Sequence, residues 1–268
     1  MNDARKSAPP TRPSFPARLD FPKSTAAFTR SAEHVTKKIA LKVSPQGLGL
    51  DSSAFRKSMV AKLAQQGVAD TWVLNAMSSI ERHRFVDTAL VNQSYEDTSL
   101  PIGLGQTISK PGVVSRMLEL LRQGTQGRLG RVLEIGTGCG YQAALLSMLA
   151  SEVYSMERLR GLHDKARENL RSLHLNNVHL IFGDGMLGYA KGAPYAGIIA
   201  AAGGEAVPQA WIDQLAVGGR LIAPVALTLG SASSPARQSL LLLEKTPTGV
   251  RQTVMEGVHF VPLKSGVA

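Results

Sequence analysis

"RVLEIGTGCGYQAALL", residues 131–146, decides the fold. The aliphatic run Val132-Leu133-Glu134-Ile135 meets three glycines at alternating positions, Gly136, Gly138 and Gly140, and then a stretch of small apolar residues with helical spacing. That order reads as strand, tight loop, helix, with glycines where a bound group comes close to backbone. Outward from it the pattern repeats. Strands are expected at 152–157, 178–182, 195–201 and 219–225, and helices near 161–173 and 208–215. Alternating strands and helices predict an α/β fold, a doubly wound and mainly parallel sheet with helices on both faces. "QSLLLLEK" (238–245) and "VHFVPL" (258–263) read as late strands at an antiparallel edge, with "TLGSASSPAR" (228–237) as a polar hairpin loop.

Upstream lies an N-terminal helical lobe. "SSAFRKSMVAKLAQQGV" (52–68) places Phe55, Met59 and Leu63 four residues apart, with Ser53 to cap the start and Gly67 to end the helix. Asp70 is expected to cap a second helix carrying Val73, Met77 and Ile80 on one face. Residues 93–112 have little periodicity, and a loop of that length inside a compact chain is usually functional. A further helix is expected over 112–123.

The chain has 268 residues, 44% of them hydrophobic, enough for one α/β domain with additions. No apolar run is long enough to cross a membrane, and no secretory signal is evident. One cysteine, Cys139, excludes an internal disulfide and a cysteine-rich zinc site, which fits a cytoplasmic protein. The net charge of +10 is unevenly spread: residues 1–50 hold nine Lys and Arg against three Asp and Glu. That basic, Pro- and Ser-rich segment is read as a disordered extension, against the alternatives of a polyanion-binding arm or a cleaved targeting peptide. Residues 51–268 are read as the folded domain. No stable nucleic-acid partner, membrane or metal is expected, and the oligomeric state is not legible.

Ligands in such folds sit beyond the carboxyl ends of the strands. A dinucleotide fingerprint needs glycine at its third position, where this chain has Tyr141. Three acids point elsewhere. Glu134, two residues before the loop, suits a cationic amine. Glu157 closes the second strand 21 residues after Gly136, where a carboxylate can accept ribose hydroxyls. Asp184, between Gly183 and Gly185, can accept from an adenine amine. An acid at a strand end is commonly only a cap or a solvated turn residue, but three at successive strand ends fit S-adenosyl-L-methionine better than NAD.

With these residues in view, the chain resembles the class I S-adenosylmethionine-dependent methyltransferases. The block "LPIGLGQTISKPGVVSRMLELL" (100–121), with "RFVD" (84–87), "GDG" (183–185) and "VHFVPL" (258–263), narrows this to the protein-L-isoaspartate O-methyltransferase family, over roughly residues 55–264. The resemblance implies a Rossmann-like methyltransferase sheet and methyl esterification of the α-carboxylate of L-isoaspartyl residues in damaged proteins and peptides, a repair reaction. It implies a catalytic role for Ser109, and cofactor contacts for Gln106, Thr107, Ile108, Glu134, Gly136, Gly138, Glu157, Gly183 and Asp184. Two positions depart from the family pattern. Tyr195-Ala196-Gly197 stands where an Asp usually follows the aromatic residue, and Ala202-Gly203-Gly204 replaces a proline-containing turn. The absent acid is expected near the cofactor-facing end of the sheet.

A carboxylate acceptor is already ionised at neutral pH and needs no general base. Alignment and exclusion of water then carry the catalysis. Ser109 is read as a hydrogen-bond donor to that carboxylate; alternatively, it caps the helix that starts near Lys110. Tyr95 and Tyr141 are candidates to line the pocket, Cys139 is read as a small residue tolerated in a tight turn, and Trp72 and Trp211 as helix packing. The competing functions are a methyltransferase for a small-molecule or RNA acceptor, an NAD(P)-dependent oxidoreductase, and a non-enzymatic binder.

Overall fold

The computed structural model describes residues 52–227 and 237–268. The expected extension over 1–50 and most of the 228–237 loop lie outside the described residues. Two helices, α1 (Ser52–Gln65) and α2 (Thr71–Ser79), come first, followed by 3-10 turns at Arg82–Phe85 and Thr88–Gln93. Asp70 caps α2 as expected, accepting from the backbone amides of Trp72 and Val73. Met59 and Leu63 of α1 are buried, whereas Phe55 of the same expected face is half exposed.

The aperiodic stretch after the turns is a β-hairpin, β1 (Leu100–Gly103) and β2 (Gln106–Ile108), leading into α3 (Pro111–Arg122). The main sheet and its helices follow in order: β3 (Leu129–Ile135), α4 (Tyr141–Leu149), β4 (Ala150–Glu157), α5 (Arg160–Arg171), β5 (Val178–Phe182), β6 (Tyr195–Ala200), α6 (Gln209–Gln214), β7 (Leu215–Leu227), β8 (Arg237–Thr246) and β9 (Gly249–Val258). Its seven strands run β5-β4-β3-β6-β7-β8-β9, the first five parallel and the last two antiparallel. The order reverses between β3 and β6, so a crevice opens beyond the carboxyl ends there.

Side chains alternate along β3. Val132 packs in the cluster shared with α1 to α4, while Leu133 and Ile135 join Met156, Tyr195 and Trp211 in the other. Glu134 therefore falls on the Val132 side, with no exposed surface.

One late strand differs from the sequence reading. The edge strand is 249–258, and residues 259–263 beyond it are extended with a single isolated bridge, Gly203 to Pro262. β9 is solvent-exposed along most of its length, so it carries no apolar alternation to reveal it.

Candidate active site

A cavity of about 450 Å3 opens at the carboxyl ends of β3, β4 and β6. Its size lies within the range of small-ligand sites. Its wall includes the β1–β2 hairpin through Ser109, the glycine loop after β3, the end of β4 with the start of α5, the residues after β6, and residues 261–264 after β9.

The glycine loop leaves β3 with Gly136 at φ 90° and Gly138 at φ 56°, both in the region that side chains disfavour. Its amides turn back onto β4: Gly136 and Thr137 both donate to the Met156 carbonyl, at 2.8 and 3.1 Å. Glu157 finishes the arrangement. One of its carboxylate oxygens accepts from the Gly138 amide at 2.9 Å and the other from the Leu159 amide at 2.9 Å. Each oxygen keeps a second lone pair, and the residue lines the cavity.

Ser109 also lines the cavity, and its hydroxyl bonds to no described residue. The capping alternative does not hold. Lys110 occupies the cap position of α3 without a side-chain bond, and Pro111 is the first helical residue. The free amide of Gly112 is taken by Asp97 Oδ1 at 2.6 Å. Gly112 is fixed by that contact, since a Cβ there would lie 2.9 Å from the same oxygen.

Of the residues singled out from the sequence, the cavity wall holds Gln106, Thr107, Ile108, Ser109, Gly136, Gly138 and Glu157. Glu134, Gly183 and Asp184 are not on it. Glu134 lies beneath the loop, where Ser155 donates to one oxygen and the Gln142 side-chain amide stands next to the carboxyl. Thr137 joins the chain through its hydroxyl contact with Ser155 at 2.6 Å. Burial pushes the Glu134 carboxyl up to about 8, which favours its neutral form in the folded chain. Asp184 caps the 3-10 turn Gly185–Leu187 through Met186, and its second oxygen accepts from the Gly266 amide at 2.7 Å.

Tyr141 lines the cavity, whereas Tyr95 does not: its hydroxyl pairs with His83 Nδ1 at 2.7 Å. The Tyr141 ring is sandwiched, with the Arg82 guanidinium 5.0 Å from its centroid and Phe85 edge-on. Arg82 is buried without an ion-pair partner among the described residues, and burial lowers its pKa. Cys139 is buried on the wall, and burial pushes its thiol up to about 11, leaving it inert at neutral pH. Ala196 corrects an expectation. It is the second residue of β6, its Cβ faces Gly130 at the other end of β3, and it lies in a separate depression with Gly130 and Gly219. The departure from the family pattern thus sits at the amino end of the parallel strands, opposite the cavity.

The sequence reading missed three contributors. Asp97 frees Ser109 from capping. Trp211 is buried and donates Nε1–H to the Gly185 carbonyl at 2.8 Å, fixing the turn after β5. The segment after β9 lines the cavity over residues 261–264, tied by Leu263 N–H to the Gly203 carbonyl at 2.7 Å and by the Arg158 side chain to the Gly266 carbonyl at 2.8 Å. "VHFVPL" marked its beginning; nothing in the sequence marked the rest.

Comparison with known proteins identifies the family. A family model described as protein-L-isoaspartate (D-aspartate) O-methyltransferase matches residues 54–268. The protein-L-isoaspartate O-methyltransferase of Methylibium petroleiphilum is 53% identical over 264 residues, covering 95% of this chain and 96% of that one. The Leptothrix cholodnii protein of the same name is 54% identical over 241 residues, 89% of this chain and 83% of its own. A solved protein-L-isoaspartate O-methyltransferase superposes with a TM-score of 0.69 at 29% identity, over 78% of this chain and 66% of that one. A Plasmodium falciparum structure, solved with S-adenosyl-L-homocysteine and described as a protein-L-isoaspartate O-methyltransferase, shares the fold at a TM-score of 0.63 and 23% identity, over 78% of this chain and 98% of its own. The chain belongs to the protein-L-isoaspartate (D-aspartate) O-methyltransferase family.

Proposed function

We propose that the cavity binds S-adenosyl-L-methionine against the glycine loop and Glu157, and that Ser109 holds the α-carboxylate of an L-isoaspartyl residue for methylation. The observation that carries this is one shared cavity: the uncommitted hydroxyl of Ser109 and the loop ordered by Glu157 line the same space. The donor set fits a nucleoside cofactor. The loop brings bare backbone to the wall at Gly136 and Gly138, and Glu157 retains acceptor capacity for ribose hydroxyls.

When bound, the cofactor supplies an electrophilic methyl group on a sulfonium, and the acceptor carboxylate oxygen takes that methyl as the carbon–sulfur bond breaks. The rest falls to the chain. Ser109 donates a hydrogen bond to the second acceptor oxygen and fixes its angle of approach, and it needs no basic partner because the acceptor is already ionised. Ile108 and Leu162 give that space apolar walls that limit water. Asp184 meets an adenine amine only where the Gly266 amide leaves it acceptor capacity. Glu134 acts from beneath, holding Ser155 and through it Thr137 of the loop. The catalytic unit is residues 51–268, and its substrates are isoaspartyl-containing proteins and peptides.

We place the protein in the cytoplasm on its single cysteine. No described helix is long and apolar enough to cross a membrane.

The experiment supplies labelled methyl donor with paired peptides, one isoaspartyl and one aspartyl. A base-labile ester on the first alone is the expected result, and equal labelling of both refutes the substrate. Ser109→Ala is expected to lower kcat about 10- to 100-fold with S-adenosylhomocysteine affinity unchanged; full turnover refutes the role of Ser109.

A further inference from the structure

Leu104, at the tip of the β1–β2 hairpin, has φ 52°, a left-handed conformation that a residue with a Cβ adopts at a cost. Gly103 and Gly105 on either side also have positive φ, so the turn is glycine geometry with a leucine at its centre. A glycine at 104 would be unstrained. The leucine is not kept for the core, since it is 62% exposed. An outlier of this kind beside a site points to a role there.

Its contacts indicate the role. Leu104 lines the cavity and reaches across to the start of α5, where its Cδ1 lies 3.1 Å from the place a Cβ on Gly161 would take. Ile102, two residues earlier, lies similarly close over Gly138, at 3.2 Å by the same measure, and is buried. Two glycines are thus seats for two hairpin side chains, one in the cofactor loop and one just after Glu157. Lys165 of α5 pins the hairpin near the buried seat, donating to the Ile102 carbonyl at 2.9 Å. Near the exposed seat, among the described residues, the contacts are the apolar one and a long 3.5 Å bond from the Gln106 side-chain amide to the Leu104 carbonyl.

We propose that Leu104 is a positioning residue, a latch that seats on Gly161 and holds the hairpin over the nucleoside end of the cavity, so setting how long the cofactor stays. This rests on the reading of the cavity given under Proposed function. Ile102 and Lys165 anchor the base of the hairpin, and Leu104 trades backbone strain for a seat that holds its tip.

The test measures S-adenosylhomocysteine dissociation by stopped-flow displacement. The buried part of a leucine side chain corresponds to about a three- to sixfold faster release in Leu104→Gly. Melting temperature is expected not to fall, because relief of strain offsets the freedom glycine adds to the unfolded chain. Leu104→Met is expected to retain the wild-type rate. Gly161→Ala, which places a methyl against Leu104, is expected to speed release as well, and to add nothing in a Leu104→Gly background. Unchanged release in both single variants overturns the latch, as does simple additivity in the double variant. Failure of the wild-type chain to bind S-adenosylhomocysteine refutes the cofactor reading itself, a separate outcome.

Discussion

Replacing Glu134 by Gln tests the buried polar chain beneath the glycine loop. Glu134 has no exposed surface, and burial raises its carboxyl from 4.5 to about 8 against the smaller opposing effect of the Ser155 hydroxyl. Between those two values the folded chain holds a proton that the unfolded chain has released. Stability contributed by this group is therefore complete below about pH 4.5 and is lost as pH rises through about 8. The slope is at most about 1.4 kcal/mol per pH unit and flattens near pH 8, so moving from pH 5.5 to 7.5 costs the wild type about 2.5 kcal/mol from this residue alone. Gln keeps an acceptor for Ser155 and does not titrate. Urea unfolding of both proteins at pH 5.5, 6.5 and 7.5 isolates the effect, because every other titrating group cancels in the difference. The expected result is a variant that gains on the wild type at each step, by about 2–3 kcal/mol overall. Parallel curves would mean that the Glu134 carboxyl titrates as an ordinary carboxylate, and the reading of a neutral acid under the loop would fail.

Other substitutions probe the supports of the site. Asp97→Ala removes the acceptor of the Gly112 amide; a loss of about 1 kcal/mol in urea unfolding is expected, together with a lower kcat, since Ser109 lies three residues before Gly112. Arg122→Met breaks a buried pair in which Nε lies 3.0 Å from Asp70 Oδ2 and Nη1 donates to the Gly127 carbonyl at 2.8 Å. The expected cost is about 2–4 kcal/mol, read by chemical unfolding with turnover per folded molecule unchanged. Trp211→Phe removes one of the two donors to the Gly185 carbonyl, leaving the Gly188 amide at 3.1 Å; a raised KM for the methyl donor is expected, with kcat nearly constant, by steady-state titration. Cys139, its thiol raised to about 11, is expected to resist iodoacetamide at pH 7.5 and to react on unfolding in urea, by mass spectrometry.

The parallel half of the sheet was legible in advance because buried parallel strands are written as continuous apolar runs between glycine and helix signals. β5 falls on the expected 178–182, and β3, β4 and β6 lie within two residues of their expected limits. The hairpin over 100–108 was not legible. Its strands are three or four residues long, and its turn takes a leucine where glycine is the usual residue. β9 escaped notice for a different reason, an exposed edge having no core face to write into sequence.

Among candidate site residues, the division follows how each is held. Gly136, Gly138 and Glu157 are local to one strand–loop–helix unit, and Gln106 to Ser109 to one hairpin, so short motifs located them. Position along the chain could not show which way an acid points. Alternation along β3 turns Glu134 under the loop, while a backbone amide eighty-two residues downstream engages Asp184. Sequence alone settled the βα order, the glycine loop and family membership, all consequences of local spacing and composition. Tertiary structure alone decided that Asp97, not Ser109, caps α3, that Ala196 lies at the far end of the sheet from the cavity, and that the segment after β9 lines the cavity. Those outcomes depend on which distant groups satisfy each other's hydrogen bonds once the core is packed, and no local pattern encodes them.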